Sequence, residues 1–171
     1  MNEETRQLSC QGGPFEGYSE EYKPLAQYAT LVGLFHAAFA TVLLTAKEKN
    51  RELPERFGLG DVVLLSIATH KLARLITKDW VTSPFRAPFV KFDKKAGAGE
   101  VEESARGTGM QKAVGDLVTC PWCVGPWVAL GLVSSFVFNP PLTRLIGTVF
   151  TLNTISDFLH HGYVKTKELS E

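Results

Sequence analysis

"LAQYATLVGLFHAAFATVLLTA" occupies residues 25–46 and contains no formally charged side chain over twenty-two positions. An α-helix rises about 1.5 Å per residue, so a helix of this length spans the ~30 Å hydrocarbon core of a bilayer. A run this long and apolar is difficult to keep in water unless lipid or protein covers it. The segment therefore predicts a membrane helix.

Three further segments have the length of membrane helices. Residues 118–138 are uncharged, residues 57–77 are apolar at first and basic at the end, and residues 142–164 carry charges near both ends. The predicted fold is all-α, an integral membrane helical bundle of about four spans with one long cytoplasmic loop, residues 78–116. Two alternatives stay open: two spans with two amphipathic helices along the membrane surface, and a wholly soluble helical bundle.

The charges of the chain balance, because Lys and Arg number 18 and Asp and Glu also number 18. Without a dense basic patch, nucleic acid is excluded as the main partner. Residues 1–24 form a polar segment that has neither the basic start nor the apolar centre of a signal peptide. We therefore divide the chain into this segment and a membrane helical domain, residues 25–171, whose own helices are expected to direct it to the bilayer.

The positive residues predict how the chain is oriented in the membrane. With four spans, the two ends of the chain and residues 78–116 lie on one side, which holds eleven Lys and Arg residues. The other side holds five, in residues 47–56 and at Arg144. The positive-inside rule then places both termini and the long loop in the cytoplasm, with the protein in the plasma membrane.

Charges also occur inside two of the predicted helices. Lys71 and Arg74 lie one to two turns within the second segment, where an unpaired charge costs about 2.5–3.5 kcal/mol. Asp157 is the carboxylate deep in the fourth segment, at the same membrane level. We predict an intramembrane ion pair of Asp157 with Lys71 or Arg74, and we expect it to be structural rather than part of a proton pathway.

The stretch "CPWC", from Cys120 to Cys123, stands near the start of the third segment. Cys120 suits the N-cap position, because the residue after it is a proline. Three interpretations stay open: structural thiols, a redox pair similar to the glutaredoxin motif but without its preceding strand, and half of a zinc or iron site completed by His70 or His160. Cys10 is isolated, so the three cysteines do not predict a disulfide framework.

The long loop contains the motif "RAPF", residues 86–89. Trp80, Phe85 and Phe89 are expected to dip into the membrane surface, while Arg86 meets a phosphate or a carboxylate. The stretch "AGAGEVEE", residues 96–103, has glycines like those of a phosphate-binding loop. It lacks the preceding strand and the final Lys-Ser/Thr of that loop, so no nucleotide site is predicted.

Four motifs in order resemble one family: "DVVLLSIATHKLARLITKDWVTSPFRAPF", "AGAGEVEE", "TCPWCVGPWVA" and "SDFLH". The family comprises small bacterial membrane proteins catalogued as domain of unknown function thirteen-sixty, some of which carry a sporulation label. The likeness extends over residues 60–163. It implies an integral membrane protein of bacteria, and it brings no reaction, substrate or catalytic residue.

Together these observations favour a non-enzymatic role. We expect a small membrane anchor or accessory subunit that meets a protein partner, or a second copy of itself, at its cytoplasmic face. We expect no cofactor in that role. The alternative is a membrane-bound thiol-redox or metal-binding protein that uses Cys120 and Cys123.

Overall fold

The computed structural model describes residues 14–15 and 17–170 of the chain. The fold is mostly helical, at 69%, and includes one small sheet. Besides a 3-10 turn at Trp80–Thr82, the elements in chain order are α1 (Leu25–Glu48), α2 (Leu59–Thr77), α3 (Ser83–Arg86), β1 (Val90–Gly97), β2 (Glu100–Ala105), α4 (Gly109–Thr119), α5 (Pro121–Phe138) and α6 (Pro140–Glu168).

The core of the molecule lies where α2, α5 and α6 pack together. Leu65 and Ala68 of α2 contact Leu132 and Phe136 of α5, and all four are buried. These residues recur at helical spacing on one face of each helix, so the two faces meet along one apolar seam.

Small and hydroxyl-bearing residues bring α6 close to its neighbours. A Cβ atom at Gly147 would lie 3.1 Å from Cγ of Leu64, so the glycine allows α6 to approach α2. The Thr151 hydroxyl donates to the backbone oxygen of Leu64 at 3.1 Å. Close approach at small residues with hydroxyl bonds between helices is typical of helix packing in lipid.

The four long helices alternate in direction. Two ion pairs join α2 and α6, with Asp61 near the start of α2 meeting Arg144 near the start of α6, and Lys71 meeting Asp157 further on. These helices are therefore parallel. Helix α5 runs opposite to α6, because Ser135 and Thr143 lie on either side of Asn139 and their hydroxyl oxygens are 2.7 Å apart. We call the end of the bundle with residues 49–58 and Asn139 the link end, and the opposite end, where α2 ends, the head end.

Helix α1 lies at the edge of the bundle and runs in the same direction as α5. Phe35 meets Trp127 edge to face, with ring centroids 5.3 Å apart. At the head end the Tyr28 hydroxyl donates to Asp116 of α4 at 2.5 Å. Of the described residues of α1, only Ala46 is buried.

Residues 78–116 were expected to form a long loop, and that part of the all-α prediction is wrong. They contain the 3-10 turn, α3, an antiparallel hairpin of β1 and β2, and α4. The hairpin forms because Gly97 and Gly99, with φ of 110° and 83°, take the left-handed conformations that its turn requires. Residues 78–119 are called the head below.

The other predicted boundaries agree with the structure to within a few residues. The segment expected at residues 118–138 begins its helix at Pro121, and the Cys120 side chain accepts a hydrogen bond from the Cys123 N–H, which confirms the N-cap prediction. The segment expected at residues 142–164 is longer, since α6 extends from Pro140 to Glu168. Cys10 lies outside the described residues.

Two of the described helices are long and apolar enough to cross a membrane, α1 and α5. Only 6% of the most apolar stretch of α1 and 17% of that of α5 is buried within the fold. Helices α2 and α6 are not apolar enough by the same measure, because their charged residues lower their mean hydropathy. Length and composition are thus consistent with membrane association through these two helices, and the four spans stay a prediction.

Candidate functional site

A cleft of about 900 Å³ opens at the head end between α2, α6 and the hairpin turn. Most of the ionisable residues that were predicted at the cytoplasmic level of the membrane line this cleft, although they are far apart in sequence. The lining consists of His70, Lys71, Arg74, Asp79, Ala96, Gly97, Ala98, Glu100, Thr154, Asp157, Phe158, His160, His161 and Val164.

Lys71 and Asp157 form an ion pair across the base of the cleft. Nζ of Lys71 lies 2.7 Å from Oδ2 of Asp157, and the two side chains are 14% and 43% exposed. The structure thus brings together two of the three residues for which an ion pair was predicted. The pair ties α6 to α2 close to the head.

Arg74 does not contact Asp157. Its guanidinium binds the Glu100 carboxylate, the first residue of β2. The sequence interpretation missed Glu100 and Asp79 because both lie in the segment that was expected to be a flexible loop. The turn "GAG", residues 97–99, is a local signal for a hairpin, but it does not show that the hairpin lies beside the end of α2.

Arg86 forms a second charged cluster, which is closed to solvent. The Arg86 residue is 1% exposed, and the side chain of its partner Glu103 is 5% exposed. The Arg86 guanidinium donates five hydrogen bonds. Nε donates to Glu103 Oε2 at 2.5 Å. Nη1 donates to the Ile76 oxygen at 2.7 Å and Thr82 Oγ1 at 2.5 Å, and Nη2 donates to the Asp79 oxygen at 3.0 Å and Ser83 Oγ at 3.1 Å. A buried guanidinium with every donor satisfied fastens the head to α2.

Arg86 meets a carboxylate, one of the two partners predicted for it, and it does so inside the fold. The carboxylate that Arg86 meets is that of Glu103, which belongs to the head itself. The Arg86 side chain therefore does not face the membrane surface. Phe85 is 82% exposed and Trp80 is 49% exposed, whereas Phe89 is half-buried. A membrane contact of this segment would thus use Phe85 and Trp80 and leave Arg86 inside the fold.

The cysteine pair lies apart from the cleft. Cys120 is half-buried, Cys123 is exposed, and both are free thiols. His70 and His160 line the cleft, while neither cysteine does. Among the described residues, no three His, Cys, Asp or Glu side chains form a group that could hold a metal ion, so the predicted zinc or iron site has no support.

A fourth ion pair lies at the link end. Arg144 donates from Nε and Nη2 to the two carboxylate oxygens of Asp61, at 2.8 and 2.9 Å. This two-pronged geometry is the strongest arrangement that an arginine makes with a carboxylate. Together with Lys71 and Asp157, it means that α2 and α6 neutralise each other's charges at both ends of their contact.

Comparison with known proteins identifies relatives but no activity. A family model described as "Protein of unknown function (DUF1360)" matches residues 64–163, which cover most of α2, the head, α5 and most of α6. No solved structure matches the chain.

Two curated relatives from Bacillus subtilis (strain 168) are similar over part of the chain. "Sporulation protein YjcA" is 38% identical over 71 residues, 40% of this chain, and "UPF0713 protein YngL" is 28% identical over 87 residues, 50% of this chain. The aligned regions span 60% and 65% of those relatives' own lengths. Because the family model covers more than half of the chain, this protein belongs to the DUF1360 family.

Proposed function

We propose that this protein is a small integral membrane protein with four spans, which acts as a non-enzymatic anchor or accessory subunit and presents its head to a protein partner at the cytoplasmic face. The observation that carries the proposal is the apolar surface that the fold leaves uncovered on α1. Val32, Leu34 and Leu44 are each more than half exposed. An uncovered apolar helix surface of this length needs lipid or protein around it.

The ion pairs between α2 and α6 support membrane positions for these two helices as well. Each charged residue would be costly alone in hydrocarbon, and each has its opposite charge on the neighbouring helix. Helix α6 has 29 residues, so it is about 43 Å long and would extend past the bilayer at the head end. The alternating directions of the four helices fit four successive crossings.

Membrane extraction tests the location. After an alkaline carbonate wash, we expect the full chain to stay in the membrane pellet and to float with liposomes. Leu34→Asp, on the uncovered face of α1, should lower the inserted fraction several-fold, whereas Leu53→Asp in the link should not, although Leu53 is also 50% exposed. Recovery of the unchanged chain in the soluble fraction would contradict the proposal.

Reporter fusions test the orientation. A reporter that is active only outside the cytoplasm should be active when fused after residue 52 and inactive after residue 170. The opposite result would reverse the orientation, and activity at neither point would reduce the number of spans.

Docking through the head is supported by its rigid attachment at Arg86 and by the charged, exposed surface of β1. Photocrosslinkers at Lys91 and Lys94, on β1, should give a discrete adduct in native membranes. A crosslinker at Glu52 in the link is the control and should give none. Equal adducts from both ends, or none from the head, would contradict a docking role for the head.

A further inference from the structure

The cleft at the head end carries charges of both signs. Leaving the imidazoles aside, its lining holds two cations and three carboxylates, namely Lys71, Arg74, Asp79, Glu100 and Asp157. A ligand with only negative charge would meet an excess of carboxylates. A ligand that carries both a phosphate and an ammonium group would find opposite charges for each of them.

The ion pairs of the cleft remain open to solvent, unlike the pair at Arg86. The Arg74 side chain is 40% exposed, and its partner Glu100 is 28% exposed. The contact with Glu100 uses Nη2 of Arg74, and the planar fork of a guanidinium has further N–H groups that fit phosphate oxygens. Arg74 can therefore keep its partner in the fold and still bind an anion.

One wall of the cleft is apolar and leads onto an apolar helix face. Phe158 and Val164 line the cleft and are 69% and 52% exposed. The exposed residues Leu152, Ile155 and Leu159 continue this surface along α6 at helical spacing. A ligand with a polar headgroup in the cleft and a hydrocarbon chain along α6 would cover both the cleft and the apolar face of α6.

The hairpin turn leaves room for such a headgroup. Ala96, Gly97 and Ala98 form the third wall, and small side chains there keep the volume of about 900 Å³ free. A single phosphate ion would leave most of this volume empty. A headgroup of several heavy atoms would occupy more of it.

We propose that this cleft binds the headgroup of an aminophospholipid, a phosphate diester that carries a primary ammonium group, with its acyl chains along α6. Arg74 donates to the phosphate, and the Asp79 carboxylate accepts from the ammonium group. The inference rests on the proposed membrane location, because that location places the head end of α6 at the level of lipid headgroups.

Direct binding to the purified full chain in detergent tests the proposal. The probes are dihexanoyl phosphatidylethanolamine and dihexanoyl phosphatidylglycerol, each below its micelle concentration, and soluble phosphoethanolamine. Binding of each is measured by titration calorimetry. We expect the first to bind at least about tenfold more tightly than the other two. Arg74→Gln and Asp79→Asn should each weaken its binding by about tenfold, the loss of one charge-assisted hydrogen bond. Arg51→Gln, at the link end and outside the lining, is the matched control and should leave it unchanged.

The remaining outcomes each overturn a part of the proposal. Equal binding of the two lipids would overturn the choice of an amine headgroup, and equal binding of phosphoethanolamine would overturn the role of the acyl chains. Ala96→Phe fills the cleft without changing its charge, so it tests the site even where Arg74→Gln unfolds the head. Unchanged binding by Ala96→Phe would overturn the cleft as the site.

Membrane flotation separates this inference from the proposed function. Cleft variants that lose lipid binding should still float with liposomes. A chain that binds the aminophospholipid in detergent but does not float contradicts the membrane location and leaves the cleft assignment standing. A chain that floats and shows no headgroup preference contradicts the cleft assignment alone.

Discussion

The Arg86 junction and the cleft are two charged clusters at the same end of the molecule, and burial gives them different properties. Arg86 and Glu103 are closed to solvent, and all five guanidinium N–H groups have acceptors within the fold. Lys71, Arg74 and their carboxylates keep between 14% and 43% of their side-chain surface exposed. The first cluster can only hold the head in place, whereas the second can also bind a ligand.

The largest expected effect is at Arg86. Arg86→Met leaves the Glu103 carboxylate buried without its cation, so the free energy of unfolding should fall by about 3–5 kcal/mol. Thermal unfolding in detergent and protease cleavage within residues 90–105 measure the loss. Lys94→Met is the control, because the Lys94–Glu102 pair on the same hairpin is 68% and 51% exposed and is worth about 0–1 kcal/mol. Equal effects of the two variants would contradict the fastening role of Arg86.

The next effect concerns the contact of α4 with the hairpin. A Cβ atom at Gly115 would lie 2.5 Å from the backbone oxygen of Phe89 and 2.8 Å from Cβ of Ala105. Gly115→Ala should therefore lower the free energy of unfolding by about 1–3 kcal/mol through overpacking. Gly131→Ala in α5 meets no atom within 4 Å and should be neutral or slightly stabilising, since alanine favours helix. A neutral Gly115→Ala would show that the hairpin is not packed on α4 as described.

A smaller effect is expected where the cleft contributes to stability. Lys71→Met and Asp157→Asn should each cost about 1 kcal/mol, because Asp157 is partly exposed and solvent screens the pair. In the double variant the costs should not add, and the difference measures the coupling between Lys71 and Asp157. The same cycle with Arg74→Gln in place of Lys71→Met should give additive costs. Strong coupling of Arg74 with Asp157 would reverse the pairing seen in the structure.

The smallest effect is expected at the cysteines. Cys120→Ser keeps a side chain that can cap α5, so the midpoint of thermal unfolding should change by less than that of any variant above. The double variant Cys120→Ser, Cys123→Ser should also retain membrane insertion. Zinc or iron bound by the native chain and lost from the double variant, measured by elemental analysis, would revive the metal interpretation.

Residue-level patterns predicted the long helices well and the head poorly. Uncharged runs and prolines mark α1 and α5 closely, because helix length and N-cap chemistry are local properties. The head was expected to be a loop because β1 and β2 are charged and short and carry weak apolar alternation. Their pairing depends on the turn at Gly97 and Gly99 and on contacts with α2 and α4, which no local pattern shows.

The candidate site shows the same division. The sequence predicted a partner for Asp157, either Lys71 or Arg74, since isolated charges in apolar segments at one membrane level need partners. Glu100 and Asp79 could not be added, because nothing local shows that a hairpin turns back over the end of α2. Arg86 gave a misleading signal, since an arginine among prolines and phenylalanines is typical of a membrane surface as well as of a buried junction.

The amino-acid sequence alone determined the helical content, the two strongly apolar helices and the charges that need partners, because hydropathy and charge are carried by each residue wherever it lies. Only the tertiary structure decided which charges meet, that residues 78–119 form a folded head, and that a cleft of mixed charge opens between α2, α6 and the hairpin. Those features depend on contacts between residues far apart in the chain, and such contacts exist only once the helices have packed.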